Sequence, residues 1–362
     1  AQRKLIKEEL VAHILCSGML KRETERRKSP LMKLPSIKED EFMISLGFSL
    51  TNAQKKVWEE IKNDFKKDIP MRRLLQGDVG SGKTVIAAFA ALQASQNGLQ
   101  TAFMCPTEIL SEQHHENLSN WFSDLGIKVG ILLGSTKAKD RKKILIDLRN
   151  GTIDILIGTH ALFQKDVIFQ AVGLTIIDEQ HRFGVQQRAL LRSKTDDDFA
   201  IPHTLVMTAT PIPRTLSLTI FGDLDVSTIN AMPPGRSPIT TKLVQPEDAE
   251  KVYSYLRSLL VQGQQGYVVV PLVEETDSEL KSAIGHVESL KQGFLQGFAI
   301  DVVHGRMNSN DRESTMQRFR NGEIDVLVAT TVIEVGVDVP NATMMVIEHA
   351  DRFGLAQLHQ LR

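Results

Sequence analysis

The stretch LLQGDVGSGKT, residues 74–84, carries Gly77, Gly82, Lys83 and Thr84 at the fixed positions of G-x-x-x-x-G-K-[ST]. The chemistry such a pattern serves is the binding of a polyphosphate. Gly77, Gly80 and Gly82 admit backbone conformations that a side chain blocks, so loop amides can turn inward onto phosphate oxygens. Lys83 then reaches the β- and γ-phosphates, and Thr84 offers its hydroxyl to Mg2+. A second cluster, LTIIDEQH at 174–181, ends an apolar run in Asp178 and Glu179. Asp178 can hold the metal through water, and Glu179 can take a proton from an attacking water. A cationic loop and an anionic strand end are what metal-assisted phosphoanhydride hydrolysis needs. A nucleoside triphosphate and Mg2+ are therefore the expected ligands.

Such residues need a scaffold that brings strand ends together. The glycine-rich stretch lies between a short apolar run, RRLL, and a helical one, TVIAAFAALQAS, which is the context a nucleotide loop requires. Further apolar runs follow at TAFMCP, VGILLG, DILIGT, LTIIDE and TLVMTAT, most of them separated by helical patterns. Apolar strands alternating with helices predict a parallel sheet covered on both faces. NAMPPGRSPI, residues 230–239, interrupts the rhythm with three prolines and a glycine, a linker composition. The rhythm resumes at GYVVVPLV, FAIDVVHG, DVLVATT and ATMMVIEH. The expected architecture is two tandem α/β domains hinged near Pro233 to Ser237, with the second sheet incomplete on its C-terminal side. Ahead of them, Ile6, Leu10 and Ile14, with Val11, Leu15 and Met19, make a helical stripe over residues 5–20 that the charged segment KRETERRKSP ends. This stripe reads either as a packed helix with a solvated connector or as a linker helix from a preceding domain. No short-period repeat or low-complexity tract stands out.

The chain of 362 residues, 42% hydrophobic, is long enough for two cores. Its formal net charge of −1 excludes a global basic field. Residues 1–33 alone hold nine Lys/Arg against four Glu. Cys16 and Cys105, the two cysteines, make no disulfide framework and point to a reducing, cytoplasmic setting. No apolar run has the length of a membrane span, and the charged start has no signal-peptide core. The ten histidines lack zinc-ligand spacing.

TAT at 208–210 and VATTVIEVGVDVP at 328–340, with DEQH, resemble the ordered motifs of the helicase superfamily with tandem RecA-like domains. PTEIL (106–110), GTHALF (158–163), DEQHRFGVQQR (178–188), TATPIPRTL (208–216), VHGRM (303–307) and HADRFGLAQLHQLR (349–362) resemble, more closely, the RecG family of branch-migration helicases. The transcription-repair coupling translocase Mfd has a similar motor, but its acidic motif usually runs DEEQRFGV, which tilts the reading away from it.

The resemblance implies a DNA-dependent ATPase that moves on duplex DNA and remodels stalled forks and Holliday junctions, with forked or branched DNA as partner and a monomeric motor. In GFSLTNAQ it gives Gln54 the adenine edge, with Phe48 packing nearby; Thr51-x-x-Gln54 is also a capping box, and both roles are compatible. Gly336 and Asp338 would approach the nucleotide from the second domain, Asp338 at the ribose. Gln180, His181, Thr208 and Thr210 match positions that link nucleotide state to DNA grip. Thr107, Thr159, Arg306, Thr330 and Thr331 are expected phosphate contacts, without sequence readout. For each threonine a cap or strand-end role competes. The implied organisation is residues 1–47 as a helical linker from a missing wedge domain, 48–232 as the first RecA-like domain, and 233–362 as the second, cut within its final arginine motif. Because Arg362 sits where the family has a variable residue, the chain alone is expected to bind Mg-ATP and hydrolyse it poorly. Two other readings remain: a polymerase-displacing translocase, and a nucleotide-gated DNA-binding fragment without useful ATPase.

Overall fold

A computed structural model describes residues 28–33, 36–179, 201–209, 224–230, 239–271, 285, 287–305, 307–330 and 339–361. The helical stripe over 5–20 and the hinge at Pro233 to Ser237 lie outside them. The chain divides into two compact units, Ala1–Arg236 and Ser237–Arg362.

The first unit runs α1 (Ser36–Ser45), α2 (Asn52–Phe65), β1 (Arg72–Gly77), α3 (Lys83–Gln96), β2 (Gln100–Met104), α4 (Glu108–Phe122), β3 (Val129–Leu132), α5 (Ala138–Arg149), β4 (Ile155–Gly158), β5 (Val172–Asp178), β6 (His203–Thr208) and β7 (Asp225–Ile229). Its seven strands pair in parallel in the order β3-β4-β2-β5-β6-β1-β7. Every residue of β2 and β5 is buried, as apolar runs covered on both faces must be. The apolar runs read as strands all fall on strands. β7 was not anticipated: DVSTI, at the sheet edge, has only Val226 and Ile229 as apolar residues and buries the polar Ser227.

α3 is buried from Val85 to Ala94. Its alanines let it pass close to the sheet, and Phe89 on its outer side meets Phe42 of α1 at 4.7 Å and Trp58 of α2 at 5.4 Å between ring centroids. The helix that opens at the phosphate loop is thus packed on both sides, which fixes the loop's position.

A buried ionic clip joins α2, β1 and β7. Arg73 Nε donates to Asp64 Oδ2 at 2.8 Å, while its Nη1 donates to Ser227 Oγ at 2.7 Å. Arg73→Ala removes the buried partner of the Asp64 carboxylate, leaving it only the half-exposed Lys67 ammonium at 2.8 Å, and is expected to cost about 3–5 kcal/mol, measured by urea unfolding. Replacing the pair together, Arg73→Met with Asp64→Leu, should recover most of that loss. At the opposite sheet end from the phosphate loop, His203 Nδ1 accepts from the Met71 amide at 2.9 Å, and Nε2 donates to Pro30 O at 2.9 Å. Burial holds this imidazole below the ordinary histidine value, so it stays neutral with both nitrogens in use.

The second unit contains α6 (Ala249–Val261), β8 (Gln265–Val269), β9 (Ile300–Val303), α7 (Ser309–Arg320), β10 (Val326–Ala329), β11 (Ala342–Ile347) and α8 (Leu355–Leu361). Its parallel four-stranded sheet has the order β11-β8-β10-β9. That order repeats the β5-β2-β4-β3 half of the first sheet, and the repeat extends to hydrogen bonds. The buried Gln100 amide, at the start of β2, donates to Leu148 O and Ile153 O, each at 2.8 Å. Gln265, at the start of β8, donates to Phe319 O at 2.6 Å and Ile324 O at 2.7 Å. Asp154 and Asp325 each accept a backbone amide at 2.8 Å, from Lys128 and Ala299. The matching segments NGTIDILIGT (150–159) and NGEIDVLVAT (321–330) are a long-period repeat that a search for short periods misses. Each glutamine satisfies carbonyls left open where a helix ends and a strand begins, which explains why a polar residue is buried there.

Candidate nucleotide site and strand-end residues

Because all seven strands of the first sheet are parallel, β1, β5 and β6 present their C-terminal ends along one edge. Register places Gln76 opposite Thr208 and Asp178 opposite Met207, so the loop after β1 and the acidic pair are brought together across β6.

Gly82 caps α3 with φ 90°, a left-handed conformation. A Cβ there would intrude on the Gln54 amide, so both backbone and space demand glycine. At Gly77 a Cβ would stand 2.5 Å from Ser81 Oγ and 3.2 Å from Ile229 Cβ. Gly80 also has positive φ, 74°. Lys83 folds back over this loop, its Nζ donating to Gly77 O at 2.7 Å and Asp78 O at 3.0 Å. Among the described residues, the amides of Gly80, Gly82 and Thr84 donate to no backbone carbonyl. A glycine-shaped loop with open donors at the start of a buried helix, carrying an ammonium, fits a polyphosphate.

Gln54 anchors the loop from α2. Its Oε1 accepts from the Thr51 amide at 2.8 Å, Thr51 Oγ1 accepts from the Gln54 amide at 3.2 Å, and Nε2 donates to Ser81 O at 2.8 Å. The capping box is present, and the same side chain braces the phosphate loop. Phe48 is half exposed, three residues before Thr51.

Asp178 closes β5 with its side chain mostly buried. Its Oδ2 lies 2.9 Å from His114 Nε2. Burial, reinforced by the Asp178 charge, pushes the nearby Cys105 thiol well above its ordinary value, outweighing a hydrogen bond with Ser111, so the thiol remains neutral. Glu179 adopts φ 51°, the left-handed region that a non-glycine residue avoids. Its amide donates to Met207 O at 3.0 Å, and its Oε1 accepts the Ala209 amide at 3.0 Å. The turn directs the carboxylate from β5 onto the segment after β6, inside the TAT sequence. Thr208 is buried at the end of β6.

Thr107 caps α4, its Oγ1 accepting from the Leu110 amide at 3.3 Å. Thr159 and Thr330 follow β4 and β10 at equivalent places in the internal repeat, both largely buried. The Thr330 hydroxyl has no hydrogen bond among the described residues. Gln180, His181, Thr210, Arg306, Thr331, Gly336 and Asp338 lie outside the described residues.

His114 was missed in the sequence. Its one signal is the four-residue spacing of Leu110, His114, Leu118 and Phe122, which puts an imidazole in the buried stripe of α4. Nothing in the sequence connects it to Asp178.

The DEAD/DEAH box helicase model matches residues 51–219, and the helicase conserved C-terminal domain model matches 250–362. The ATP-dependent DNA helicase RecG of Haemophilus influenzae is 48% identical over the whole of this chain, which covers 52% of that protein. RecG of Thermotoga maritima is 47% identical, with 100% of this chain and 46% of the relative covered. A solved structure of RecG bound to a three-way DNA junction superposes with a TM-score of 0.85 at 45% identity, covering 100% of this chain and 47% of that one. The chain thus spans about half the length of the curated relatives it matches. The polymerase-displacing alternative gains no support from these likenesses. With two parallel-sheet RecA-like units, both helicase domain models and RecG similarity from end to end, the chain belongs to the tandem RecA-like helicases, in the RecG family.

Proposed function

We propose that this chain is the motor portion of an ATP-dependent double-stranded DNA translocase that remodels forked and branched DNA. The observation that carries this reading is the junction of two facts: RecG similarity over the full chain, and a phosphate loop brought beside Asp178 and Glu179 on one sheet edge. The backbone amides of the loop and Lys83 bind the triphosphate; Thr84 and Asp178 hold Mg2+; Gln54 faces the adenine with Phe48 against its ring. Bound Mg2+ supplies charge neutralisation at the phosphates. Glu179 orients the attacking water and takes its proton. Its bond to the Ala209 amide gives the phosphate end of the site a path to Thr208 and Thr210, which with Gln180 and His181 report nucleotide state to the DNA contacts.

Thr107, Thr159, Arg306, Thr330 and Thr331 contact phosphates on the DNA path, and Gly336 with Asp338 serves the nucleotide from the second domain. Residues 1–47 form the linker, 48–232 the first domain and 233–362 the second. Small hydroxyls and amides hold any sequence and release it at each step, which suits a chain of net charge −1. The motor acts as a monomer in the cytoplasm. Among the described residues no helix is long and apolar enough to cross a membrane.

The test is ATP turnover by the complete protein on forked, duplex and single-stranded DNA of equal length. The reading expects the greatest stimulation on forked DNA; equal turnover on all three, or none above the DNA-free rate, would sink it.

A further inference from the structure

His114 and His203 are both buried, yet they are used differently. His203 spends both ring nitrogens on backbone groups and ties segments together. His114 makes one hydrogen bond, from Nε2 to Asp178 Oδ2 at 2.9 Å, and its buried Nδ1 has no partner among the described residues. An ionised carboxylate can only accept, so Nε2 carries the proton and donates it. The ring is held in place by Phe103, 4.9 Å away between centroids, and by its station in the buried stripe of α4. Among the described residues no other side chain bonds Asp178, and Oδ1 accepts no hydrogen bond.

We propose that His114 is a positioning residue for the metal: it pins Asp178 by Oδ2 so that Oδ1 faces the metal's water shell. The proposal rests on the reading of Asp178 as the Mg2+ carboxylate. A buried carboxylate without a donor turns about its χ angles and is less stable in its charged form, and both effects weaken its hold on a cation. Partners of this kind typically contribute 10–100-fold to metal affinity or activity. A histidine serving only to fill the core would give none of that.

The experiment uses the complete protein with a non-hydrolysable ATP analogue, and reads Mn2+ binding by electron paramagnetic resonance. In His114→Gln the amide nitrogen falls near the position of Nε2 and keeps the donor. In His114→Asn the amide is too short to reach Asp178. His114→Asn is expected to weaken Mn2+ binding about tenfold and His114→Gln to stay within about twofold of the parent. Metal-free binding of the analogue should be equal in all three. Should Asn unfold the first unit, His114→Leu replaces it with the same expectation. Equal Mn2+ affinity in the Asn and Gln variants overturns the proposal. Asp178→Asn separates the two levels of failure. If it leaves Mn2+ affinity unchanged, the metal role of Asp178 is lost; if it weakens Mn2+ while His114→Asn does not, only the role of His114 is lost.

Discussion

Lys83→Ala lowers DNA-stimulated ATP turnover of the complete protein by roughly 10²–10³-fold or more, the range seen when a preorganised donor to developing charge is removed. Lys83 sits at the first position of α3, on a helix buried along nearly its whole length, so its ammonium is delivered to the loop by a rigid element. Its bonds to the carbonyls of Gly77 and Asp78 keep it over the mouth of the loop rather than extended into solvent. No other lysine is placed in this loop, so no neighbour substitutes for the lost charge. The truncation leaves a partly buried site without opening the core, so the melting temperature and much of the DNA binding should persist. Steady-state ATPase with saturating forked DNA, alongside nucleotide affinity, is the measurement. Unchanged turnover would remove the polyphosphate assignment of the loop, and with it the functional reading.

Glu179→Gln separates binding from chemistry. The expected result is a fall in turnover of about 10²–10⁴-fold with nucleotide affinity preserved, as loss of a general base predicts. The geometry makes this substitution a clean one. A glutamine oxygen can accept the Ala209 amide as the Glu179 carboxylate does, so the link between the ends of β5 and β6 survives. The backbone at φ 51° is held by the Glu179 amide bond to Met207 O, which the side-chain change does not touch. What is lost is the proton acceptor alone. Single-turnover hydrolysis of prebound ATP reads this step directly. A variant that hydrolyses at the parent's rate would show that the strained carboxylate serves the structure of the turn and not the reaction.

The two variants therefore have different signatures: the first loses phosphate binding strength and rate together, the second rate alone. The same logic bears on Gln54. Its side chain is built into the capping box and the phosphate loop at once, so a change there disturbs the loop's support whether or not adenine is also lost.

Much of this protein is legible from residue order because its strongest signals are local. A short apolar run between turn residues reads as a strand wherever it lies, and β1–β6 and β8–β11 were found that way, the part-buried edge strands β3, β9 and β11 included. The phosphate loop was legible because glycine is demanded by backbone geometry within a few residues. β7 was not, because DVSTI holds only two apolar residues, Val226 and Ile229, too few to stand out as a run. The long-period repeat was overlooked because its two copies, 150–159 and 321–330, lie far apart in the chain, and the matching of Gln100 with Gln265 shows only in hydrogen bonds.

Sequence by itself determined which side chains can hold phosphate, metal and a proton, since that chemistry depends on residue type and spacing along a few bonds. Only the tertiary structure decided which of them meet. Parallel pairing across β6 brings the loop after β1 beside Asp178 and Glu179, although strand order in the sheet differs from order in the chain. The same packing set His114 against Asp178 from a helix 64 residues away, and bent Glu179 back to Ala209 across 30. Contacts of that span arise from the burial of whole faces, and no local pattern encodes them.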